Sequence, residues 1–304
     1  MVGASASGDH RAVTEPSTDF AARLRSGTIL VVPGVYDPLS ALLAAQAGAE
    51  ALFVSGAAVA MTQLGRPDFG LGTASEMVDC VARIVDRVAL PVLVDGDQGF
   101  GNAAHLQRFV RGLCRAGAVA VQIEDQVAVK RVTDIRARPL VSTGEMVGRI
   151  RAAQDARTHD GFLISARTDA LTTTDLDDAL DRADAYVAAG CDLLFFESVK
   201  SAAAADAVVA RFGGRVPLVV NLLESGGAPF ADAGAAARGG FALALFPVTG
   251  MGAAARGLRT AYIALVRDGS SASVRDSLIG MTEMNEIVGT ADFATRIAAY
   301  GDPA

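Results

Sequence analysis

The stretch Ala116-Gly117-Ala118-Val119-Ala120-Val121-Gln122-Ile123 contains the pattern from which the fold can be predicted. An alanine-rich helical segment leads into it, the glycine can adopt the left-handed conformation that ends a helix, and a short apolar run comes next. The same order recurs at residues 47–54 and 189–196, and more loosely from residue 238. This weak internal repeat predicts that the chain passes from helix to strand several times in the same way.

Short apolar runs alternate with alanine-rich helical stretches along most of the chain. The eight runs that we interpret as strands lie at residues 28–32, 51–54, 91–94, 119–123, 162–165, 192–196, 217–220 and 241–246. Continuous apolar runs are typical of strands buried on both faces of a parallel sheet, and the intervening helices supply the crossovers. We therefore predict an α/β fold, a (β/α)8 barrel of the TIM type. A doubly wound sheet is the alternative, which the absence of a GxGxxG motif disfavours.

Both ends of the chain depart from the barrel pattern. Residues 1–18 are small and polar, so we expect a disordered tail, and residues 19–26 are predicted to form a lead-in helix. Residues 19–304 are predicted to be one barrel domain with a C-terminal helical extension, since helices at 253–267, 274–286 and 291–300 exceed what a barrel needs. The surplus apolar faces need cover, and we expect a neighbouring subunit to provide it.

Composition narrows the classes of function. The 304-residue chain is 51% hydrophobic, but no apolar run approaches the ~20 residues of a membrane span, so we expect no membrane partner. The net charge is −7 and the basic residues are scattered, which argues against a nucleic-acid partner. The three cysteines are far apart and the N-terminal residues lack a signal-peptide core, so we expect a cytoplasmic protein with reduced cysteines.

Polar residues concentrate where the predicted strands end. In chain order they are Tyr36, Asp37, Ser55, Asp68, Asp95, Asp97, Glu124, Asp125, Arg167, Asp169, Glu197, Asn221 and Glu224. The opposite ends of these strands carry mostly Gly, Ala and Pro. Because active sites of such barrels lie at the C-terminal ends of the strands, we predict an active site at this mouth.

The stretch Val94-Asp95-Gly96-Asp97-Gln98-Gly99-Phe100-Gly101-Asn102 places two carboxylates at the end of the third predicted strand. Buried carboxylates are costly unless a cation meets them, and a hard divalent cation such as Mg²⁺ suits oxygen ligands. Taken alone, the stretch is equally compatible with a solvated turn rich in Asp and Gly.

Eight short motifs resemble the isocitrate lyase/phosphoenolpyruvate mutase superfamily, in the order that this superfamily has them. They lie at residues 33–41, 55–56, 65–68, 95–102, 123–126, 165–170, 196–198 and 246–247, so that the resemblance extends over about residues 20–265. It implies a (β/α)8 barrel, usually a homotetramer in which partners exchange the eighth helix. It also implies Mg²⁺ and a small 2-oxo- or 2-hydroxycarboxylate substrate that is processed through a pyruvate-like enolate.

The resemblance further implies roles for individual residues. Asp95 is expected to bind Mg²⁺ directly, whereas Asp68, Asp97 and Glu124 are expected to hold metal-bound waters. The expected substrate contacts are the backbone N–H groups of Ser55, Gly56 and Ala57, and the side chains of Arg167, Glu197, Asn221 and Arg131. The planar guanidinium of Arg167 suits a carboxylate, although it can instead pair structurally with Asp169 or Glu197.

The loop after Gln126 departs from the family. Lyases that it resembles carry Lys-Arg-Cys-Gly-His there, with the Cys as the acid that protonates the departing fragment. Here Lys130 and Arg131 are retained, but Val132 occupies the Cys position. The Asn-Ser of the enzymes that act on phosphonopyruvate is absent too. Lys130, Tyr36 and a metal-bound water remain as alternatives for the acid.

A second departure comes after the seventh predicted strand. Leu223 replaces the Thr of the family's Asn-x-Thr-Glu motif, and a leucine cannot hydrogen-bond a distal carboxylate. The distal half of the substrate is therefore expected to be less acidic or more apolar than in lyases for tricarboxylates.

These observations favour a Mg²⁺-dependent lyase that cleaves a C–C bond of a small substituted 2-hydroxy or 2-oxo carboxylate. The alternatives are a mutase or hydrolase for the P–C bond of phosphonopyruvate-type compounds, and an oxaloacetate decarboxylase. A non-catalytic ligand-binding homologue is the fourth hypothesis, because the usual acid is missing.

Overall fold

The computed structural model describes residues 16–127, 139–224 and 226–301. Eight parallel strands form a closed barrel in sequential order. The strands are β1 Leu30–Val35, β2 Leu52–Val54, β3 Val92–Asp95, β4 Ala120–Glu124, β5 Leu163–Thr168, β6 Leu193–Phe196, β7 Leu218–Asn221 and β8 Leu243–Phe246. The predicted (β/α)8 barrel is confirmed, and β8 closes it by pairing with β1 through Leu30 and Leu243.

Thirteen α-helices lie within the described residues. They are α1 Pro16–Leu24, α2 Pro38–Gln46, α3 Gly56–Gln63, α4 Ala74–Val85, α5 Ala103–Ala116, α6 Thr143–Ala156, α7 Ala170–Thr173, α8 Leu176–Ala188, α9 Ala202–Phe212, α10 Ala233–Arg238, α11 Thr249–Asp268, α12 Met281–Val288 and α13 Thr290–Ala299.

The helix-to-strand repeat has a common backbone geometry. The glycines of the four copies, Gly48, Gly117, Gly190 and Gly240, have φ of 89°, 86°, 93° and 89°. A side chain rarely tolerates this left-handed conformation, whereas glycine adopts it freely. Each glycine therefore turns the chain from the end of a helix into the next strand.

Two apolar clusters stabilise the barrel. The larger one packs the outer helices on the strands, and the smaller one fills the barrel interior with residues such as Val32, Leu93 and Phe195. Phe20 and Leu24 of α1 belong to the interior cluster and are 1% and 4% exposed. Since the predicted catalytic mouth is at the C-terminal ends of the strands, α1 closes the opposite end.

The C-terminal segment differs in part from the prediction. The expected helix at residues 274–286 is wrong: a short 3-10 helix, Ala272–Ser277, precedes α12, and Leu278 between them is extended. Gly280 caps the N-terminus of α12, which separates the two elements. Helix α11 exposes apolar side chains, including Val266, which is 88% exposed. Within the described ranges, no helix combines the length and apolar character needed to cross a membrane.

The closure of the barrel bottom can be tested through Phe20. We expect Phe20→Ala to lower the free energy of unfolding by about 3–5 kcal/mol, because truncating a buried aromatic ring leaves a cavity. Urea unfolding followed by circular dichroism measures this change. Leu39→Ala, at a side chain that is 38% exposed on α2, is the control and should cost much less. Equal losses in both variants would contradict the role of α1.

Candidate active site at the C-terminal ends of the strands

A cavity of about 460 Å³ opens at the C-terminal ends of the strands. Its polar lining residues come from six strands, from the turns after them and, for Asp68, from the segment between α3 and α4. They are Ser55, Asp68, Asp95, Asp97, Gln122, Glu124, Gln126, Arg167, Glu197 and Asn221. The rest of the lining is mainly apolar. Eight of the thirteen polar residues predicted at the strand ends thus share one cavity, whereas its lining does not include Tyr36, Asp37, Asp125, Asp169 and Glu224.

Three carboxylates form a compact group in this cavity. One oxygen each of Asp95, Asp97 and Glu124 lies within 4.8 Å of the others. Asp97 and Glu124 are buried, and Asp95 is half-buried. An all-oxygen donor set of acidic side chains is what Mg²⁺ prefers. Asp68 lines the same cavity but is not part of this group.

The loop after β3 has a constrained backbone. Asp97 and Phe100 have φ of 45° and 58°, which side-chain-bearing residues adopt at an energetic cost. Gly96 donates its N–H to Gln122 O at 2.8 Å, and a Cβ at Gly96 would lie 2.7 Å from Val121 Cγ2. The loop therefore lies directly against β4, which brings Asp95 and Asp97 close to Glu124.

The turn after β2 faces the first of these carboxylates. Gly56 donates its backbone N–H to Asp95 Oδ2 at 3.1 Å, and Ser55 caps α3 by accepting from Ala58 N at 3.3 Å. Ser55 and Ala57 line the cavity. The N-terminus of α3 thus points its N–H groups, and the positive end of its dipole, towards the acidic group.

Arg167 at the end of β5 is paired with three carboxylates. Its Nε and Nη2 donate to Asp169 at 3.1 and 3.0 Å, and its Nη1 and Nη2 lie 3.4 and 3.5 Å from Glu124 and Glu197. Burial lowers the pKa of the guanidinium, but the charges of Asp169, Glu124 and Glu197 outweigh it, so that the pKa lies well above its ordinary value. The structural pairing that the sequence left open is present, and it keeps Arg167 cationic.

Asp125 holds Asp169, the main partner of Arg167, in position. Its carboxylate is buried and accepts from Thr168 Oγ1, Asp169 N and Tyr186 OH at 2.7, 2.9 and 2.7 Å. Burial raises the pKa of Asp125, and the three donors oppose that rise. Because Asp169 N donates to Asp125 while the Asp169 carboxylate accepts from Arg167, this network fixes the direction of the guanidinium.

The remaining predicted residues have three different locations. Glu197 and Asn221 line the cavity. Tyr36 belongs to the buried core that packs the outer helices on the strands and is not part of the cavity lining, so the structure does not bring it together with the other predicted residues. Burial and then the charge of Asp37 raise the pKa of its phenol. Lys130 and Arg131 lie outside the described residues.

Gln122 lines the cavity but is not among the site residues predicted from the sequence. Gln122 is 2% exposed and stands opposite Asp95 in the register of β3 and β4. Its Oε1 atom is buried and accepts no hydrogen bond within the described part of the chain. A signal was available, since Gln122 is polar in an apolar strand and two positions before Glu124, hence on the same face.

Comparison with known proteins gives one family. A sequence model described as phosphoenolpyruvate phosphomutase matches residues 20–255. The chain is 38% identical over 287 residues to a 2-methylisocitrate lyase of Salmonella typhimurium strain LT2, covering 93% of this chain and 96% of that protein. It is 34% identical over 268 residues to a 2,3-dimethylmalate lyase of Eubacterium barkeri, covering 88% and 91%.

Solved structures give the same result. A crystal structure of 2,3-dimethylmalate lyase, a member of the PEP mutase/isocitrate lyase superfamily, superposes with a TM-score of 0.88 at 32% identity, covering 95% of this chain and 96% of that one. Phosphonopyruvate hydrolase in complex with oxalate and Mg²⁺ superposes with a TM-score of 0.85 at 28% identity, covering 94% and 99%.

The acidic group can be tested through Asp95. We expect Asp95→Asn to weaken Mg²⁺ binding by at least about 10-fold, because a neutral amide replaces a carboxylate at the point where β2, β3 and β4 meet. Isothermal titration calorimetry with MgCl₂ measures the affinity. Asp160→Asn, at an exposed acid between the end of α6 and the start of β5, is the control. Unchanged Mg²⁺ affinity in Asp95→Asn would refute the assignment.

Gln122 allows a separate test of stability against function. We expect Gln122→Leu to leave the free energy of unfolding unchanged or raise it by about 1 kcal/mol, because it removes a buried acceptor without a partner. The same change should lower kcat/KM by about 10-fold if the amide meets substrate or an ordered water. Urea unfolding and steady-state kinetics measure the two effects. A less stable variant with full activity would assign Gln122 to the core instead.

Proposed function

The chain belongs to the phosphoenolpyruvate mutase/isocitrate lyase superfamily, and on this basis we propose that it is a carbon–carbon lyase for a small substituted 2-hydroxy or 2-oxo carboxylate. The observation that carries the proposal is the grouping of Asp95, Asp97 and Glu124 in one cavity with Arg167. The lyase names of both curated relatives described above agree with it.

The charges lining the cavity support Mg²⁺ as the cofactor. The described lining has five carboxylates, those of Asp68, Asp95, Asp97, Glu124 and Glu197, and one guanidinium. Three of them, Asp95, Asp97 and Glu124, have oxygens within 4.8 Å of one another, and such a set of oxygen donors is what Mg²⁺ prefers. Asp95 is proposed as the direct ligand, and Asp68, Asp97 and Glu124 as acceptors for metal-bound waters. When bound, Mg²⁺ would polarise the carboxylate and C2 oxygens of the substrate.

The residues of the chain would then orient the substrate and offset its charge. Arg167 keeps a positive charge beside the cavity. After β2, Ser55 N donates to Val35 O and Gly56 N donates to Asp95 Oδ2, so the N–H group of Ala57 is proposed as the donor to a substrate oxygen. In a 2-hydroxy acid, the hydroxyl gives its proton to a base and the C2–C3 bond breaks. The O–H electron pair forms the C2 carbonyl of the released 2-oxo acid, while the C2–C3 pair passes to C3, which then takes up a proton.

The acid that protonates C3 is proposed to come from the loop after Val127. Lys130 is the retained residue of the family's loop motif, and Arg131 is its neighbour. The cysteines do not replace the missing acid, because none lines the cavity. For Cys191, burial and then the charge of Asp192 raise the pKa of the thiol to about 12, so it is a weak acid.

Two related reactions are the alternatives. Cleavage of a P–C bond is favoured by the similarity to phosphonopyruvate hydrolase. Decarboxylation of oxaloacetate would break C3–C4, release CO₂ and leave the electron pair on the pyruvate unit as an enolate, which needs no Cys acid at the moment of cleavage. Both reactions would use the same acidic group and the same orienting residues.

We also propose that the chain forms a homo-oligomer, a tetramer or a dimer of dimers. The support is the row of exposed apolar side chains on α11, which includes Tyr262, Ile263 and Val266 at 60%, 56% and 88% exposure. A patch of this kind is typical of a surface that another subunit covers. Exchange of α11 between partners would achieve this.

A substrate panel tests the proposed reaction. With Mg²⁺ present, we expect release of a 2-oxo acid from at least one substituted malate, detected by coupled reduction with NADH, and loss of this activity on adding EDTA. Phosphonopyruvate should give an unchanged phosphorus NMR spectrum. If a P–C signal disappears and no malate is cleaved, the hydrolase alternative replaces the lyase. Arg167→Lys is expected to lower kcat/KM by about 100-fold or more.

A further inference from the structure

Two polar residues that pair in register, Gln122 and Ser165, lie on the inner face of the barrel on the N-terminal side of the candidate active site. We infer that they hold a water molecule between them, and that this water directs the Gln122 amide towards the substrate. Gln122 is then a substrate-binding residue, and Ser165 is a positioning residue that acts through it. The inference rests on the proposed function and adds two residues to its site.

The register of β4 and β5 places three pairs of residues one after another on the inner face of the barrel. From the mouth inward, the pairs are Glu124 with Arg167, Gln122 with Ser165, and Ala120 with Leu163. The first pair lines the cavity and is an ion pair at 3.4 Å, whereas the third belongs to the apolar interior cluster. Because residues two positions apart on a strand share a face, the middle pair also faces the interior. It therefore lies between a charged pair and the apolar core.

The oxygen atoms of this middle pair need a partner that the protein does not supply. Gln122 is 2% exposed and Ser165 is 0% exposed. Gln122 Oε1 and Ser165 Oγ are both buried, and neither takes part in a hydrogen bond within the described residues. Leaving two such atoms unsatisfied is costly, and buried polar groups in proteins almost always pair with the protein or with ordered water.

A water molecule suits the chemistry of both atoms. Neighbouring strands lie about 4.8 Å apart, so two side chains that pair on one face can share one small partner. An amide oxygen only accepts, whereas a hydroxyl can donate, so a water can donate to Gln122 Oε1 and accept from Ser165 Oγ. Ser165 is not part of the cavity lining, which leaves this position to water rather than to a group of the substrate.

The water determines which end of the Gln122 amide faces the cavity. Gln122 lines the cavity, and in the sheet it stands between Ser165 on β5 and Asp95 on β3. When the water holds Oε1 on the side of Ser165, the Nε2 group faces the cavity and the side of Asp95. A neutral N–H donor at this point suits a carboxylate oxygen of the substrate, and it adds no charge to the acidic group.

Binding of oxalate in the presence of MgCl₂ tests both roles without requiring turnover, since oxalate is a planar dianion like the enolate of a 2-oxo acid. We expect Gln122→Met, which keeps the length of the side chain but not the amide, to weaken oxalate binding by about 10-fold, and Ser165→Ala to weaken it by about 3-fold. Isothermal titration calorimetry measures these affinities.

Three further measurements separate positioning from a merely structural role. The double variant should bind oxalate no more weakly than Gln122→Met alone, because Ser165 acts through Gln122. Ser165→Thr, which keeps the hydroxyl, should bind oxalate within about 2-fold of the wild type. The affinity for MgCl₂ alone should change by less than about 2-fold in both single variants, because neither residue is a carboxylate ligand.

A high-resolution crystal structure of the wild-type protein tests the water directly. We expect a water within about 3.2 Å of both Gln122 Oε1 and Ser165 Oγ, and its loss in Ser165→Ala. A direct hydrogen bond between these two atoms, or no water at this point, would overturn the inference.

The binding data can overturn the two roles separately. Wild-type oxalate affinity in Ser165→Ala, with unchanged thermal melting, or additive losses in the double variant would refute the positioning role of Ser165. A wild-type protein that binds no oxalate, or an unchanged affinity in Gln122→Met, would refute substrate binding by Gln122. If oxalate binds as expected but no 2-oxo acid is released from any substrate, the proposed lyase function fails while this inference stands.

Discussion

Arg167 holds Asp169, Glu124 and Glu197 around one guanidinium at the end of β5. Without this cation, three carboxylates from three adjacent strands would be buried against one another, and their repulsion would favour protonation or local opening of the mouth. These ion pairs are connected to the proposed metal site, because Glu124 also belongs to the group with Asp95 and Asp97. The electrostatics of the cavity therefore depend on a charged arginine whose side chain is 12% exposed.

The network beneath Arg167 explains how this charge is held in place. Asp125 is completely buried, yet three hydrogen bonds satisfy its carboxylate, and one of them comes from the backbone of Asp169. Arg149 donates to the carbonyl oxygens of Glu124 and Gln126 at 3.0 and 2.9 Å, so it fixes the end of β4 as well. Buried charged groups that are fully paired in this way favour one arrangement of the surrounding side chains over others.

The fold was predictable because its signals are local and repeated. Four glycines end helices in one conformation, and eight apolar runs have the length and continuity of parallel strands. The single helix expected at residues 274–286 is wrong, because apolar spacing alone did not reveal that Gly280 starts a new helix. The ends of the strands were less predictable. Strand β5 continues through Arg167 and Thr168, which are polar and therefore do not extend the apolar run that marks the strand.

The candidate site was predictable to the extent that strand ends define it. Asp95, Glu124, Arg167 and Asn221 reach the cavity because each lies at the end of a strand that the sequence marks. Tyr36 comes directly after β1 in the same way but lies in the core, since position in the chain does not determine on which side of the barrel wall a side chain lies. Gln122 was missed for the converse reason, because it lies within β4 and candidate residues were sought only after the strand ends.

Chemistry and specificity are carried by different parts of this barrel. The groups proposed to bind metal and orient the carboxylate lie at strand ends and are held by paired charges, so a change there disturbs the fold and the reaction together. Leu223, Val127 and Val248 lie on the loops that also line the cavity, and their apolar side chains take no part in the charge network. Loops of this kind let one acidic site serve several substrates, because the distal group of the substrate meets the loops while its carboxylate meets the strand ends. An apolar residue on the loop after β7 is therefore compatible with an intact acidic site.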